Sequence, residues 1–249
     1  MELEIAVQDA AGAVIARDGG ADRVELCSAL ELGGITPSAG LIARVLAAVG
    51  PAFPVHVLVR PRPGDFCYDA DELTVSVEDV RRAVAAGAAG VVVGQLRRTR
   101  SGLAVDSGAL ESLIDAAGGA RVTFHRAFDL VEDVEAALEV LLNYGAGRIL
   151  SSGRAADAHS GIADLERLVG LADGRIEVMA GGGVRIPDLS QIVRSGVDAI
   201  HLSAKRTRRV QGGYALGAGT RDGAMTWYET DPALVASAAA AVAAGQPYN

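Results

Sequence analysis

The sequence predicts a single-domain α/β fold, a (β/α)8 TIM barrel formed by residues 1–249. Three observations carry that prediction. Short β-branched runs alternate with longer Ala- and Leu-rich stretches of helical spacing, eight of each. The length of 249 residues is usual for this fold. A glycine-led junction from helix to strand recurs at 19–24, 87–92, 145–150 and 196–200, so the chain reads as four β-α-β-α units. An open doubly wound sheet would place a glycine-rich turn after its first strand, where Val7-Gln8-Asp9-Ala10 has none.

Strands are predicted over residues 3–7, 23–27, 55–60, 90–94, 121–125, 148–152, 176–180 and 199–203. Helices are predicted over 10–17, 38–49, 77–86, 107–117, 131–143, 161–171 and 187–195, with a C-terminal helix at about 232–244. Two long connections remain, 61–74 after the third strand and 205–231 after the eighth. Both fall on the C-terminal face of the barrel, where this fold builds its active sites.

Composition narrows the function. Half the residues are hydrophobic but only 4% are aromatic, so the core is built from Ala, Val, Leu and Ile. The net charge of −8 argues against a polyanion binder, and no nucleic-acid partner is expected. No apolar run reaches the roughly 18–20 residues of a membrane span, and the acidic opening Met1-Glu2-Leu3-Glu4 is unlike a secretory signal. Two cysteines cannot staple a domain this large, which points to the cytoplasm.

Strand parity separates an outer face from an inner one. Val55, Val57 and Val59 are expected to pack on helices, whereas His56, Leu58 and Arg60 face the barrel axis. The same rule sends Glu4, Glu25, Cys27, Thr123, His125, Glu177, Met179 and His201 inward. An ordinary barrel fills such positions with Val, Ile and Leu. So many interior charges read either as a buried ion-pair network or as a polar pocket, and their number favours the pocket.

The chemistry-bearing motifs cluster at strand ends. Arg60-Pro61-Arg62-Pro63-Gly64-Asp65 offers two stiffened guanidinium groups for a carboxylate or phosphate, unless Asp65 merely pairs with them to hold the loop. Thr123-Phe124-His125-Arg126-Ala127-Phe128-Asp129 offers His125 as a general acid–base, oriented by Asp129 or Glu25. Ser151-Ser152-Gly153, the glycines Gly181, Gly182 and Gly183, and Ser203 with Lys205 and Arg206 suit an anion site after strands six to eight. Catalytic candidates are therefore Glu25, His125, Asp65 and His201. Anion-binding candidates are Arg60, Arg62, Arg126, Ser152, Gly181, Gly182, Gly183 and Ser203. Cys27 and Cys67 read as inert thiols or, should neighbouring strands bring them together, as ligands for Cu(I).

Gly20-Ala21-Asp22-Arg23-Val24-Glu25-Leu26-Cys27, Gly34-Ile35-Thr36-Pro37-Ser38, the 60–68 segment, Val122–Asp129, Ser152-Gly153 and 180–184 together resemble the CutC family over most of the chain. The resemblance implies a cytoplasmic barrel, a homo-oligomer (dimer or tetramer), and a role in copper homeostasis with Cu(I) as the bound ion. Members proposed to bind Cu(I) carry a cysteine on strand one where this chain has Ala6, and Pro63 replaces a usual glycine. Cys67 is then the remaining candidate to join Cys27. A barrel enzyme acting on a small anionic or phosphorylated metabolite is the alternative expectation.

Overall fold

The computed structural model describes residues 1–210 and 225–245. In chain order the strands are β1 (Glu2–Val7), β2 (Arg23–Leu26), β3 (Val55–Leu58), β4 (Gly90–Val93), β5 (Leu96–Arg98), β6 (Leu103–Val105), β7 (Arg121–Phe124), β8 (Arg148–Ser151), β9 (Glu177–Gly181), β10 (Ala199–Leu202), β11 (Lys205–Val210) and β12 (Met225–Thr230). The helices are α1 (Ala10–Asp18), α2 (Ala39–Val49), α3 (Ala70–Ala85), α4 (Ser107–Ala117), α5 (Val134–Tyr144), α6 (Ile162–Ala172), α7 (Leu189–Arg194) and α8 (Pro232–Gly245). Eight parallel strands close as β1-β10-β9-β8-β7-β4-β3-β2, with helices between them, so the chain is a (β/α)8 barrel.

Local chemistry explains the helix starts. Asp9, Ser38, Asp69, Asp106 and Asp133 each accept a hydrogen bond from a backbone N–H of the turn that follows. Asp69 and Glu72 form a reciprocal capping box, which starts α3 seven residues before the expected boundary and shortens the loop after β3. The tail also differs from expectation. Residues expected as a loop at 205–231 instead include the antiparallel ribbon β11–β12, in which Arg206 and Arg208 pair with Glu229. Residues 211–224 of that stretch lie outside the described residues.

The parity expectation holds. Leu3, Ile5, Val7, Val24, Leu26, Val55, Val57 and Val59 belong to one large core between strands and helices. The barrel interior holds two small apolar clusters, Cys27–Leu58–Val92 and Leu150–Met179–Ala199. Its N-terminal end is plugged by ion pairs among the first residues of five strands. Arg23 Nη1 and Arg148 Nη2 both donate to Glu2 Oε2, at 2.6 and 2.5 Å. Arg148 Nε reaches Glu177 Oε2 at 2.7 Å, and Arg121 pairs with the other oxygen of Glu177. Neither Arg23 nor Arg148 stood out in the sequence. Both expected interior arrangements are therefore present, a network below and a pocket above.

Candidate functional site

The pocket opens at the C-terminal mouth of the barrel and has a volume of about 350 Å³. That is within the size range of small-molecule sites. Glu25, Arg60, His125, Arg126, His201 and Lys205 supply its titratable walls, with Gly182, Gly183 and Ser203 at the rim.

Glu4 joins the plug to the pocket. Its Oε2 accepts from Arg23 Nε at 2.5 Å, and its Oε1 faces His201 Nδ1 at 2.7 Å. Burial pushes the Glu4 carboxyl up, but His201, His56 and Arg148 outweigh it and hold it below the ordinary value. His201 answers in kind: burial pushes it down, while Glu25 and the bond to Glu4 bring it above the usual imidazole range. With Nδ1 committed to Glu4, only its Nε2 remains to serve the pocket.

Glu25 lies beside this pair, with ligand atoms of Glu4, Glu25 and His201 all within 4.8 Å of one another. Burial raises its carboxyl to about 7, opposed by His201 and helped by Glu4. Between the ordinary 4.5 and about 7, the folded protein holds a proton that the unfolded chain has released. The contribution of Glu25 to stability therefore falls as pH rises through that window. Glu25→Gln is expected to stabilise the protein by about 1–3 kcal/mol at pH 8 and much less at pH 5. Thermal unfolding at the two pH values checks this, and an equal effect at both would refute it.

His125 is the opposite case. Its Nδ1 accepts the Ala127 N–H at 3.2 Å, so the neutral ring carries its proton on Nε2, which has no protein partner among the described residues. Burial, reinforced by the charge of Arg60, lowers its pKa to about 3. The ring lies 4.9 Å from Phe66, centroid to centroid, and the Arg60 guanidinium sits 5.0 Å from the same Phe66 ring. Arg60 spends Nη1 on the Leu32 and Gly34 carbonyls and Nη2 on that of Gly64, leaving its buried Nε without a partner among the described residues.

The opposite rim is built around Arg126. Asp129 holds its Nε at 2.9 Å and Ser152 Oγ accepts from Nη2 at 2.7 Å. The guanidinium lies over Gly182, where an added Cβ would sit 2.7 Å from Cζ. Gly182 and Gly183 have φ of +99° and +62°, which favour glycine. The N–H groups of Gly183 and Ser203 donate to no protein acceptor among the described residues. Lys205 adds a second cation, its Nζ 3.8 Å from the Tyr228 ring centroid.

Several expected site residues take other roles. Arg62 turns outward to Glu72 and Asp65, and Asp65 also meets Arg98, so these residues hold the loop and the expected fork with Arg60 is split. Asp129 orients Arg126 rather than His125, which is held by its own backbone. Ser152 is wholly buried and supports Arg126 without lining the pocket. Gly181 lies opposite His201 in the ladder and leaves room for it, since a Cβ there would stand 3.1 Å from His201 Cβ. Cys27 is sealed among Leu58, Val92 and Leu30, and Cys67 packs on the outer core. Burial pushes the Cys27 thiol up, away from the thiolate form. Two contributors escaped the sequence reading. One is the role of Glu4 as a bridge; the other is Gly94, whose missing side chain makes room for the His125 ring.

Fold and site together define a (β/α)8 barrel protein with a polar pocket at the C-terminal mouth of the barrel. The CutC family model matches residues 1–206. Relatives named CutC from Agrobacterium fabrum (strain C58 / ATCC 33970) and Histophilus somni (strain 2336) are 47% and 43% identical over 204 and 210 residues. These alignments cover 82% and 84% of this chain and 79% and 84% of the relatives. A solved CutC structure from Streptococcus agalactiae superposes with a TM-score of 0.75 at 33% identity, covering 81% of this chain and 98% of that one. The chain belongs to the CutC family.

Proposed function

We propose that this chain binds a small anionic metabolite, phosphorylated or carboxylated, at the mouth of the barrel and performs acid–base chemistry on it. One observation carries the reading: Arg126, fixed by Asp129 and Ser152, faces the same rim as Lys205 and the unengaged N–H groups of Gly183 and Ser203. Preorganised donors of that kind, after the last strands of a barrel, suit a phosphate or carboxylate. Below them, Glu25 and the Glu4–His201 pair supply groups able to take and return a proton. The test is binding of 2-phosphoglycolate and inorganic phosphate by calorimetry. Arg126→Met is expected to weaken binding by roughly 10–100-fold, the worth of a charge-assisted pair. No binding to the wild type, or equal binding to both proteins, would refute the reading.

A second reading comes from the Streptococcus relative, whose name describes copper homeostasis. In it Cys27, packed against the pocket-lining Leu30 and Leu58, is a Cu(I) ligand in a cytoplasmic protein, whereas Cys67, the other expected ligand, packs on the outer core. Soft thiolates suit Cu(I), and binding would have to draw the raised Cys27 thiol into that form. An anaerobic competition titration against a Cu(I) chelator tests it. Stoichiometric copper lost in Cys27→Ser supports this reading; copper retained by the chelator against both proteins refutes it.

A further inference from the structure

The pocket carries two buried donors that anion binding at the rim leaves unexplained. His125 and Arg60 line the cavity and are buried where Arg126 is half-exposed; both pack against Phe66, and each holds one N–H with no protein partner among the described residues. An unpaired buried donor is costly unless something in the working state accepts from it. His125 is fixed as the neutral Nε2–H tautomer by its bond from Ala127, so it can donate without first losing a charge. A neutral imidazole of this kind is suited to a carbonyl oxygen that becomes negative during reaction.

We propose that the bound anion also carries a carbonyl flanked by a C–H bond, and that the site enolises it, with Glu25 as base and His125, seconded by Arg60, as the oxygen's donors. The proposal rests on the anion-binding reading and names its substrate class. In the step, the Glu25 carboxylate takes the proton from the carbon beside the carbonyl. The C–H electron pair becomes the C=C bond, and the C=O π pair moves onto oxygen, where the Nε2–H of His125 and the Nε–H of Arg60 meet it. Return of the proton restores the carbonyl. No oxidant, reductant or second substrate is required. His201, bonded to Glu4, lies beside Glu25 and can hold a proton there.

The experiment follows exchange of carbon-bound hydrogen in D2O by proton NMR, with dihydroxyacetone phosphate and ribulose 5-phosphate as probes. Calorimetric binding of each probe and of 2-phosphoglycolate is measured alongside. The expected result is exchange beside the carbonyl at least 100-fold above buffer. Glu25→Gln should return it to the buffer rate. His125→Asn should lower kcat by roughly 100–1,000-fold while KM changes only a few-fold, the pattern of a donor used in the transition state. Binding of the probes without exchange would overturn enolisation and leave anion binding standing. Absence of both binding and exchange would overturn the two together.

Discussion

Arg148→Ala is expected to cost the barrel about 3 kcal/mol, a fall in Tm of roughly 6–12 °C for a domain of this size. Arg148 is among the largest wholly buried side chains, and its guanidinium draws Glu2 of β1 and Glu177 of β9 together across the barrel floor. Alanine leaves a cavity and removes the shared cation at once. The cost stays near the low end for a broken buried pair because Glu2 and Glu177 both reach solvent. Each also keeps a second partner, Arg23 for Glu2 and Arg121 for Glu177. Arg148→Met should therefore lose far less, since it restores the volume while those pairs persist. Chemical denaturation of the three proteins decides the matter. An alanine variant as stable as wild type would show that the floor network does not hold the barrel.

Gly94→Ala is expected to disable the pocket. A Cβ at position 94 would stand 2.2 Å from His125 Cε1 and 2.3 Å from Nδ1. The ring cannot yield easily, because Nδ1 is tied to Ala127 and the ring packs against Phe66. Displacement by even an ångström costs on the order of 100-fold where a donor must meet a reacting oxygen. Overpacking should also lower stability by about 1–3 kcal/mol. Removing the ring in Gly94→Ala/His125→Ala should restore most of that stability but not function. Additive losses in the double variant would show that the two sites do not press on each other.

The sequence made the barrel legible through periodicity, and alternation along each strand placed Glu4, Glu25, His56, Arg60, His125 and His201 on the inside. That placement rests on a period of two, which survives errors at strand ends. Partnership was less legible because it depends on register between strands. Glu4 lies opposite Arg23 on β2 and His201 on β10, two residues far apart in the chain, and only the closed sheet brings them together. Alternation also ends where a strand ends. Arg62 lies beyond the turn at Pro61, and it swings outward to Glu72 although Arg60 points inward. Asp129 was visible as a partner, but the short 3-10 helix over Arg126–Leu130 carries it to Arg126 instead of His125. The Asp69–Glu72 box, by contrast, is a sequence signal in its own right and explains the early start of α3.

The most direct test is a crystal structure of the protein with 2-phosphoglycolate bound. The phosphate is expected within hydrogen-bond distance of Arg126 and of the Gly183 and Ser203 N–H groups, with the carboxylate directed toward His125. An anion seated elsewhere on the barrel, with this pocket left to solvent, would contradict the assignment of the pocket as the functional site.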